Sequence, residues 1–271
     1  MSRRRPAARQ QPIWVFILLI ALGLAWWYFT QRGGGPVSTG GACGEMFAYG
    51  QPQASTGDRT TFLCRLGYAT LHDDARKVPL YSAEHLVARD LAREVSRTDD
   101  FAPDPDLPSG ERAELADYAG SGYDRGHLAP AADATDSREM HQSFYLSNMV
   151  PQNKVMNEQI WAGLENATRA CAKRVGELYV ISGPVFTGPA RTVGRSRVEV
   201  PDALYKIALD ARSGEFRAFL MPNVALRRTT NYARYEVSIA DIERRSGLNF
   251  FPQGKLPEDQ RGQLCEGSYG R

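Results

Sequence analysis

The sequence predicts an α+β domain behind one N-terminal membrane-spanning helix, and three observations carry that prediction. Residues 13–29 are an uncharged apolar run, IWVFILLIALGLAWWYF, with arginines ahead of it. Short strand-like segments bounded by Gly and Pro recur through the rest of the chain. One stretch, Val155 to about Lys173, changes to a helical period, with Met156, Ile160, Leu164, Ala167 and Cys171 on one face.

A chain of 271 residues with 42% hydrophobic and 24% charged content can bury one large core. The simplest partition is a cytoplasmic basic N-terminus at 1–12, a transmembrane signal anchor at 13–30, a flexible tether at 31–58 and one globular domain at 59–271. The formal charge of +2 misleads, because residues 1–32 hold five arginines and no acid. The remainder keeps 28 of the 33 basic residues against 31 acidic ones, a net of −3. Such a domain has no global field to attract a polyanion, so contact with nucleic acid requires a local cluster of Arg and Lys. The four cysteines, Cys43, Cys64, Cys171 and Cys265, are not at zinc-ligand spacing. They suit two disulfides in an oxidising compartment, or four buried thiols in the cytosol. Of the three pairings, Cys43 with Cys64 and Cys171 with Cys265 is preferred.

At ~1.5 Å rise per residue the apolar run nearly spans a ~30 Å hydrocarbon layer. Trp26, Trp27 and Tyr28 suit the outer interface and Trp14 the inner one, while Arg3, Arg4, Arg5 and Arg9 keep the N-terminus cytoplasmic. Bulky residues follow the run where a cleavable signal peptide needs a small-x-small site, so an uncleaved anchor is favoured over secretion after cleavage. Gly33-Gly34-Gly35-Pro36 and Gly40-Gly41 mark the tether.

Thr61 to Ala69 reads as a strand and Val78 to Tyr81 as a second. Ahead of Arg97, helix is expected only over Glu84 to Arg93, and Phe101 to Pro108, with three prolines, reads as loop. Tyr123 to Pro130 is too short and too Gly/Pro-bounded for a helix, which puts His127 at a strand end. Ser143 to Met149 offers the partner strand, ended by Pro151, and the helix from Val155 follows. Glu177 to Pro184, Val198 to Val200, Leu204 to Leu209 and Glu215 to Met221 read as further strands. A last helix is expected at Ser238 to Arg245, with Ser238 as N-cap and Asp241 three residues on.

The strand, strand, helix segment carries Asp117-Tyr118, Gly122-Tyr123-Asp124-Arg125-Gly126-His127-Leu128-Ala129-Pro130 and Phe144-Tyr145-Leu146-Ser147-Asn148-Met149-Val150-Pro151-Gln152, then Asn157, Trp161 and Leu164-Glu165. These ordered blocks closely resemble the DNA/RNA non-specific endonuclease family, which includes mitochondrial endonuclease G, over about Cys64 to Pro252. The resemblance implies a ββα-metal nuclease finger on a mixed, mainly antiparallel sheet flanked by helices. It also implies cleavage of DNA and RNA to 5′ phosphates, Mg²⁺ (or Mn²⁺) as cofactor, and homodimers as one oligomeric form.

Phosphodiester hydrolysis needs a base for water, a cation on the non-bridging oxygens and help at the leaving oxygen. His127 is the expected general base, since a neutral imidazole accepts a proton at physiological pH. Alone, a His at a strand end reads as structural, as His72, His85 and His141 do. The resemblance maps the metal ligand onto Asn157, whose carbonyl oxygen suits a hard cation. Glu165, two turns further along the helix, is expected to reach water around the ion, or else to pair with Arg169 at the surface. Arg125 and Arg169 match phosphate-facing arginines, and Arg97 matches an upstream transition-state arginine, with Arg93 as fallback. Asn148 is expected to orient the site by hydrogen bonding, Asp124 to fix the loop or a neighbouring Arg, and Gly126 to let backbone approach substrate or metal.

The sequence therefore predicts a membrane-anchored Mg²⁺-dependent endonuclease acting on DNA and RNA. A bacterial source would place it in the inner membrane with a periplasmic domain, and a eukaryotic one in the mitochondrial intermembrane space. Two alternatives are a non-catalytic anchored nucleic-acid-binding protein, for instance in DNA uptake, and a phosphodiesterase for a non-polymeric diester. The first would not need His127 together with Asn157.

Overall fold

The computed structural model describes residues 43–54, 59–93, 95–229, 231–254, 256 and 260–270. All belong to the second of two compact units, 36–271. The expected anchor and most of the tether lie outside the described residues, among which no helix is long and apolar enough to cross a membrane.

In chain order the elements are β1 Gln53–Ala54, β2 Thr60–Cys64, β3 Ala69–Asp73, β4 Val78–Val87, α1 Leu115–Tyr118, β5 Tyr123–His127, α2 Ser137–Ser143 and β6 Met149–Asn153. A π-helical turn Met156–Trp161 then leads into α3 Ala162–Val175. β7 Glu177–Val185, β8 Thr192–Val193, β9 Val198–Glu199, β10 Ala203–Leu209, β11 Phe216–Pro222, α4 Ile239–Ser246 and β12 Leu248–Asn249 complete the domain. Six strands form the central sheet in the order β11-β10-β7-β4-β3-β2. Its ladders are antiparallel throughout, which corrects the mixed sheet expected. Among the described residues parallel pairing is confined to isolated bridges such as Ala102 with Tyr145. Short turns join β2 to β3, β3 to β4 and β10 to β11, and a short turn can only reverse the chain.

Side chains alternate across this sheet and build two cores. On one face Leu86, Leu178, Val180, Leu204 and Phe219 pack against Met156, Ile160, Leu164 and Cys171 of the long helix. On the other, Tyr81, Ile181, Tyr205 and Ile207 meet Met46, Phe47 and the Ile239 and Ile242 of α4. β4 and β7 are neighbours in the sheet, so residues 88–176 leave and return to adjacent strands, carrying β5, β6 and the helix as one layer on the first face. Beneath that layer the apolar alternation is interrupted. Lys206, Ser182, Ser82 and Thr70 are successive cross-strand partners, each no more than 1% exposed.

The differences from the expected elements have local causes. The strand expected from Thr61 to Ala69 breaks after Cys64, because Arg65 turns inward to Asp104 at 2.5 Å and Asp106 at 2.7 Å. No helix forms over Glu84 to Arg93, since residues 84–87 continue β4 in register with β7 (Glu84 opposite Val180) and pairing overrides local preference. The strand expected at Ser143 to Met149 lies downstream: Ser143 ends α2, capped at its start by Asp136, and β6 begins at Met149. β6 runs through Pro151, tolerated because a two-stranded ribbon consists of edges. The remaining strands and the final helix, with Ser238 Oγ accepting from Asp241 N at 3.1 Å, agree with the sequence reading.

Both preferred disulfides are present, Cys43–Cys64 and Cys171–Cys265. The second ties α3 to the C-terminal segment across 94 positions, so its loss restores far more freedom to the unfolded chain. A Cys171→Ser/Cys265→Ser variant is expected to lose roughly 2–5 kcal/mol, read as a lower denaturant midpoint, with a smaller loss for Cys43→Ser/Cys64→Ser.

Candidate active site

β5 and β6 pair so that His127 lies opposite Met149 and Tyr123 opposite Asn153. The chain then turns into the helix where Asn153 Oδ1 accepts from the N–H groups of Val155 at 3.1 Å and Met156 at 3.3 Å. Strand, strand and helix surround a cavity of 590 Å³ whose wall includes Asp124, Arg125, His127, Asn157 and Glu165, with Arg97, Phe101, Tyr118 and Tyr123 around them.

His127 is 9% exposed, with the rings of Phe101 and Phe144 at 5.7 and 5.0 Å between centroids. Burial lowers its pKa to about 3, with the charges of Arg97 and Arg125 acting in the same direction. The imidazole is therefore neutral at physiological pH, and its Nε2 has no hydrogen-bond partner among the described residues. Asn157 sits in the π-helical turn, a distortion common at functional sites. Its Nδ2 donates to Asp124 Oδ2 at 3.0 Å. A carboxylate can only accept here, so this bond fixes which end of the amide faces Asp124 and leaves the carbonyl oxygen for another partner. Asp124 thus holds Asn157, where it was expected to fix the loop or a neighbouring arginine. Burial raises Glu165 to about 7, Lys206 and Arg169 opposing and Asp133 adding to the shift.

An amide oxygen, a carboxylate and an unpartnered imidazole around an open cavity fit a hard divalent cation that keeps most of its water. Among the described residues no group of three His, Cys, Asp or Glu could form a closed cage, so the fit is to a site with few protein ligands.

Arg125 lies over the Phe101 ring at 4.0 Å and forms no ion pair among the described residues. Arg97 lines the cavity, stacked on Phe144 at 4.8 Å and bonded to Asp99 at 2.7 Å, whereas Arg93 is exposed and pairs with Asp90. Arg169 is not brought to the cavity wall: its guanidinium is bound by Asp133 and by Asn166 Oδ1, and the expected i,i+4 pair with Glu165 does not form. Asn148 is fully buried behind the cavity. Its Nδ2 donates to Ala129 O at 2.8 Å and Ser143 O at 3.0 Å, and its Oδ1 accepts from Ala129 N at 3.0 Å and Ser82 Oγ at 2.9 Å. Gly126 is required by the protein's own packing, for a Cβ there would lie 2.0 Å from Gln152 Oε1. His72 at Asp74, His85 stacked on Tyr179 and His141 at Asp100 all lie outside the cavity wall.

Four residues near the site were missed by sequence reasoning. Gln152 is buried with both side-chain polar atoms unpartnered, and Asp133 is the acid that takes Arg169. Neither has a periodic signature. Glu84 and Lys206 had one: a charge at an inward position of an otherwise apolar strand. Lys206 Nζ donates to Ser182 Oγ at 2.6 Å, and burial raises Glu84 well above the ordinary carboxylate range.

Residues 45–255 match the family of DNA/RNA non-specific endonucleases. Nuclease C1 of Cunninghamella echinulata var. echinulata is 36% identical over 81% of this chain and 92% of its own length. The mitochondrial nuclease EXOG of Mus musculus is 35% identical over 80% of this chain and 62% of its own. Mitochondrial endonuclease G of Bos taurus is 33% identical over 79% and 75%. Among solved structures, EndoG in a complex with EndoGI superposes with a TM-score of 0.72 at 28% identity, over 81% of this chain and 95% of that one.

The four bonds at Asn148 make it the expected weak point of the site. Asn148→Ala should cost roughly 3–5 kcal/mol, because buried partners are left unsatisfied, measured by chemical denaturation. A loss under about 1 kcal/mol would contradict the clamp.

Proposed function

This chain belongs to the DNA/RNA non-specific endonuclease family and is a metal-dependent endonuclease, and from that premise we propose a membrane-anchored enzyme that uses Mg²⁺ to hydrolyse phosphodiester bonds in both DNA and RNA. The observation that carries this reading is the meeting of His127, Asn157, Glu165 and Arg125 in one cavity wall. Asn157, supported by Asp124 and with Glu165 nearby, would hold Mg²⁺ or Mn²⁺. When bound, the ion supplies positive charge to the phosphate and to the departing oxygen. His127, kept neutral by its surroundings, takes the proton of the attacking water. Arg125, unpaired, and Arg97, at the cavity edge, face charge that grows on the phosphoryl oxygens. Asn148 acts behind the site as a positioning residue, and Arg169 is committed to Asp133. Contacts directed at phosphate and not at bases or the 2′-OH would make cleavage indifferent to sugar and sequence.

Two disulfides favour a non-cytoplasmic domain, and the apolar run of residues 13–29 supplies the anchor. Relatives named as mitochondrial support the mitochondrial alternative over the periplasm.

Supercoiled plasmid and structured RNA are both expected to be cut with Mg²⁺ and spared with chelator. His127→Ala should lower kcat by roughly 10²–10⁴-fold. Binding without cutting by the wild type would overturn the proposal, and inaction on both polymers would point to a smaller diester.

The pH profile follows from Glu165. With its pKa raised to about 7, it is neutral below that value and charged above it. Activity is therefore expected to rise with pH through about 7 at low Mg²⁺. The limb should move to lower pH as Mg²⁺ increases, since a cation favours the carboxylate. His127, at about 3, does not set this limb. Persistence of the limb in Glu165→Gln would count against the assignment.

A further inference from the structure

Most arginines of this domain have their charge taken up by a nearby carboxylate; Arg65, Arg76, Arg112, Arg191, Arg212 and Arg217 are examples. Seven exposed ones form no ion pair among the described residues, and four of these, unlike Arg174, Arg234 and Arg245, sit on segments bonded beside the cavity. Arg195 and Arg197 lie in the turn between β8 and β9, and Arg227 and Arg228 in the loop after β11. None of the four forms an ion pair among the described residues.

Both segments are fastened through main chain to residues next to the cavity wall, and the four arginines are exposed. In the first, Ser196 N donates to Asp117 Oδ1 at 2.9 Å and Gly194 packs so closely that a Cβ would lie 2.3 Å from Asp117 Cα; the next residue, Tyr118, lines the cavity. In the second, Arg228 N donates to Gln159 Oε1 at 3.1 Å, and the preceding residue, Glu158, lines the cavity. The base of that loop is held by Asn223, which bonds Asn153 N at 2.7 Å and Pro151 O at 3.0 Å at the open end of the β5–β6 ribbon. A positive φ of 60° at Arg197 tightens the first turn.

We propose that Arg195 with Arg197, and Arg227 with Arg228, are two phosphate-binding rims that grip the polynucleotide backbone at points outside the catalytic cavity. The proposal rests on the endonuclease reading of that cavity. A domain of net −3 beyond residue 32 has no general field for a polyanion, so affinity for a long substrate must come from such local, unneutralised cations. The cavity then acts on one diester, while the rims distinguish a polymer from a short one. Because guanidinium groups touch phosphates and not base edges, the grip carries no sequence preference.

The test is binding of a fluorescent duplex of roughly 30 base pairs to the full chain in the His127→Ala background without divalent ion, followed by anisotropy over about 50–300 mM KCl. Arg195→Gln/Arg197→Gln and Arg227→Gln/Arg228→Gln are each expected to flatten the slope of log K against log salt by roughly 1–2, about 0.9 per lost phosphate contact. The Arg→Lys versions should retain the slope. The control, Arg244→Gln/Arg245→Gln on α4, removes the same charge from the helix packed on the opposite face of the sheet and should leave it unchanged. An unchanged slope in both rim variants, or equal flattening in the control, would overturn the rims. Cleavage by the wild type with Mg²⁺ is scored in parallel. A chain that cuts no polymer yet loses slope on rim substitution would refute the endonuclease reading and keep the rims.

Discussion

The side-chain amide of Asn148 is the joint between the sheet and the layer that lines the cavity. It uses both donors and both accepting positions on groups from three separate segments, Ser82 in β4, Ala129 after β5 and Ser143 at the end of α2. Its main-chain oxygen also accepts from Leu128 N at 3.0 Å, next to His127. No other side chain offers two donors and two acceptors in so small a planar group except Gln, which is longer by a methylene. The geometry of the strand end that carries His127 follows from these bonds, since that end is otherwise a loop running into Pro130.

Behind the cavity lies a second constraint, an excess of carboxylates. Glu84, Asp133 and Glu165 lie within one another's electrostatic reach and share Lys206 and Arg169 as cations. Burial is the leading cause of the raised pKa in all three, and mutual repulsion adds for Glu84 and Glu165. Arg169 belongs to this balance: its side chain is 14% exposed and that of Asp133 6%, so leaving the pair would strand a buried acid. This is why an arginine on the long helix, about three helical turns beyond Asn157, faces inward and not toward the cavity.

Some of this was legible in the chain. The 3.6-residue recurrence from Met156 to Cys171 marked the long helix, and Ser238 with Asp241 marked the last one, because both signals arise within a few turns of backbone. The boundaries of β4, β6 and the strand after Thr60 were not legible. Two are decided by a partner far away, β7 for Glu84 to Val87 and Asp104 for Arg65, and the third by the Asn148 side chain, which bonds Ser143 O at the end of α2 while also binding β4.

By itself the sequence determined the residue kit, an imidazole followed by an asparagine and a glutamate on one helix, together with the cysteine supply and the sign of the local charge. Those follow from covalent order and short-range periodicity. Only the tertiary structure decided that Asp124 holds Asn157, that Arg169 is drawn to Asp133, and that His127 is desolvated enough to stay neutral. Burial and pairing depend on which distant groups are packed beside a residue, and a linear string contains no distances between them.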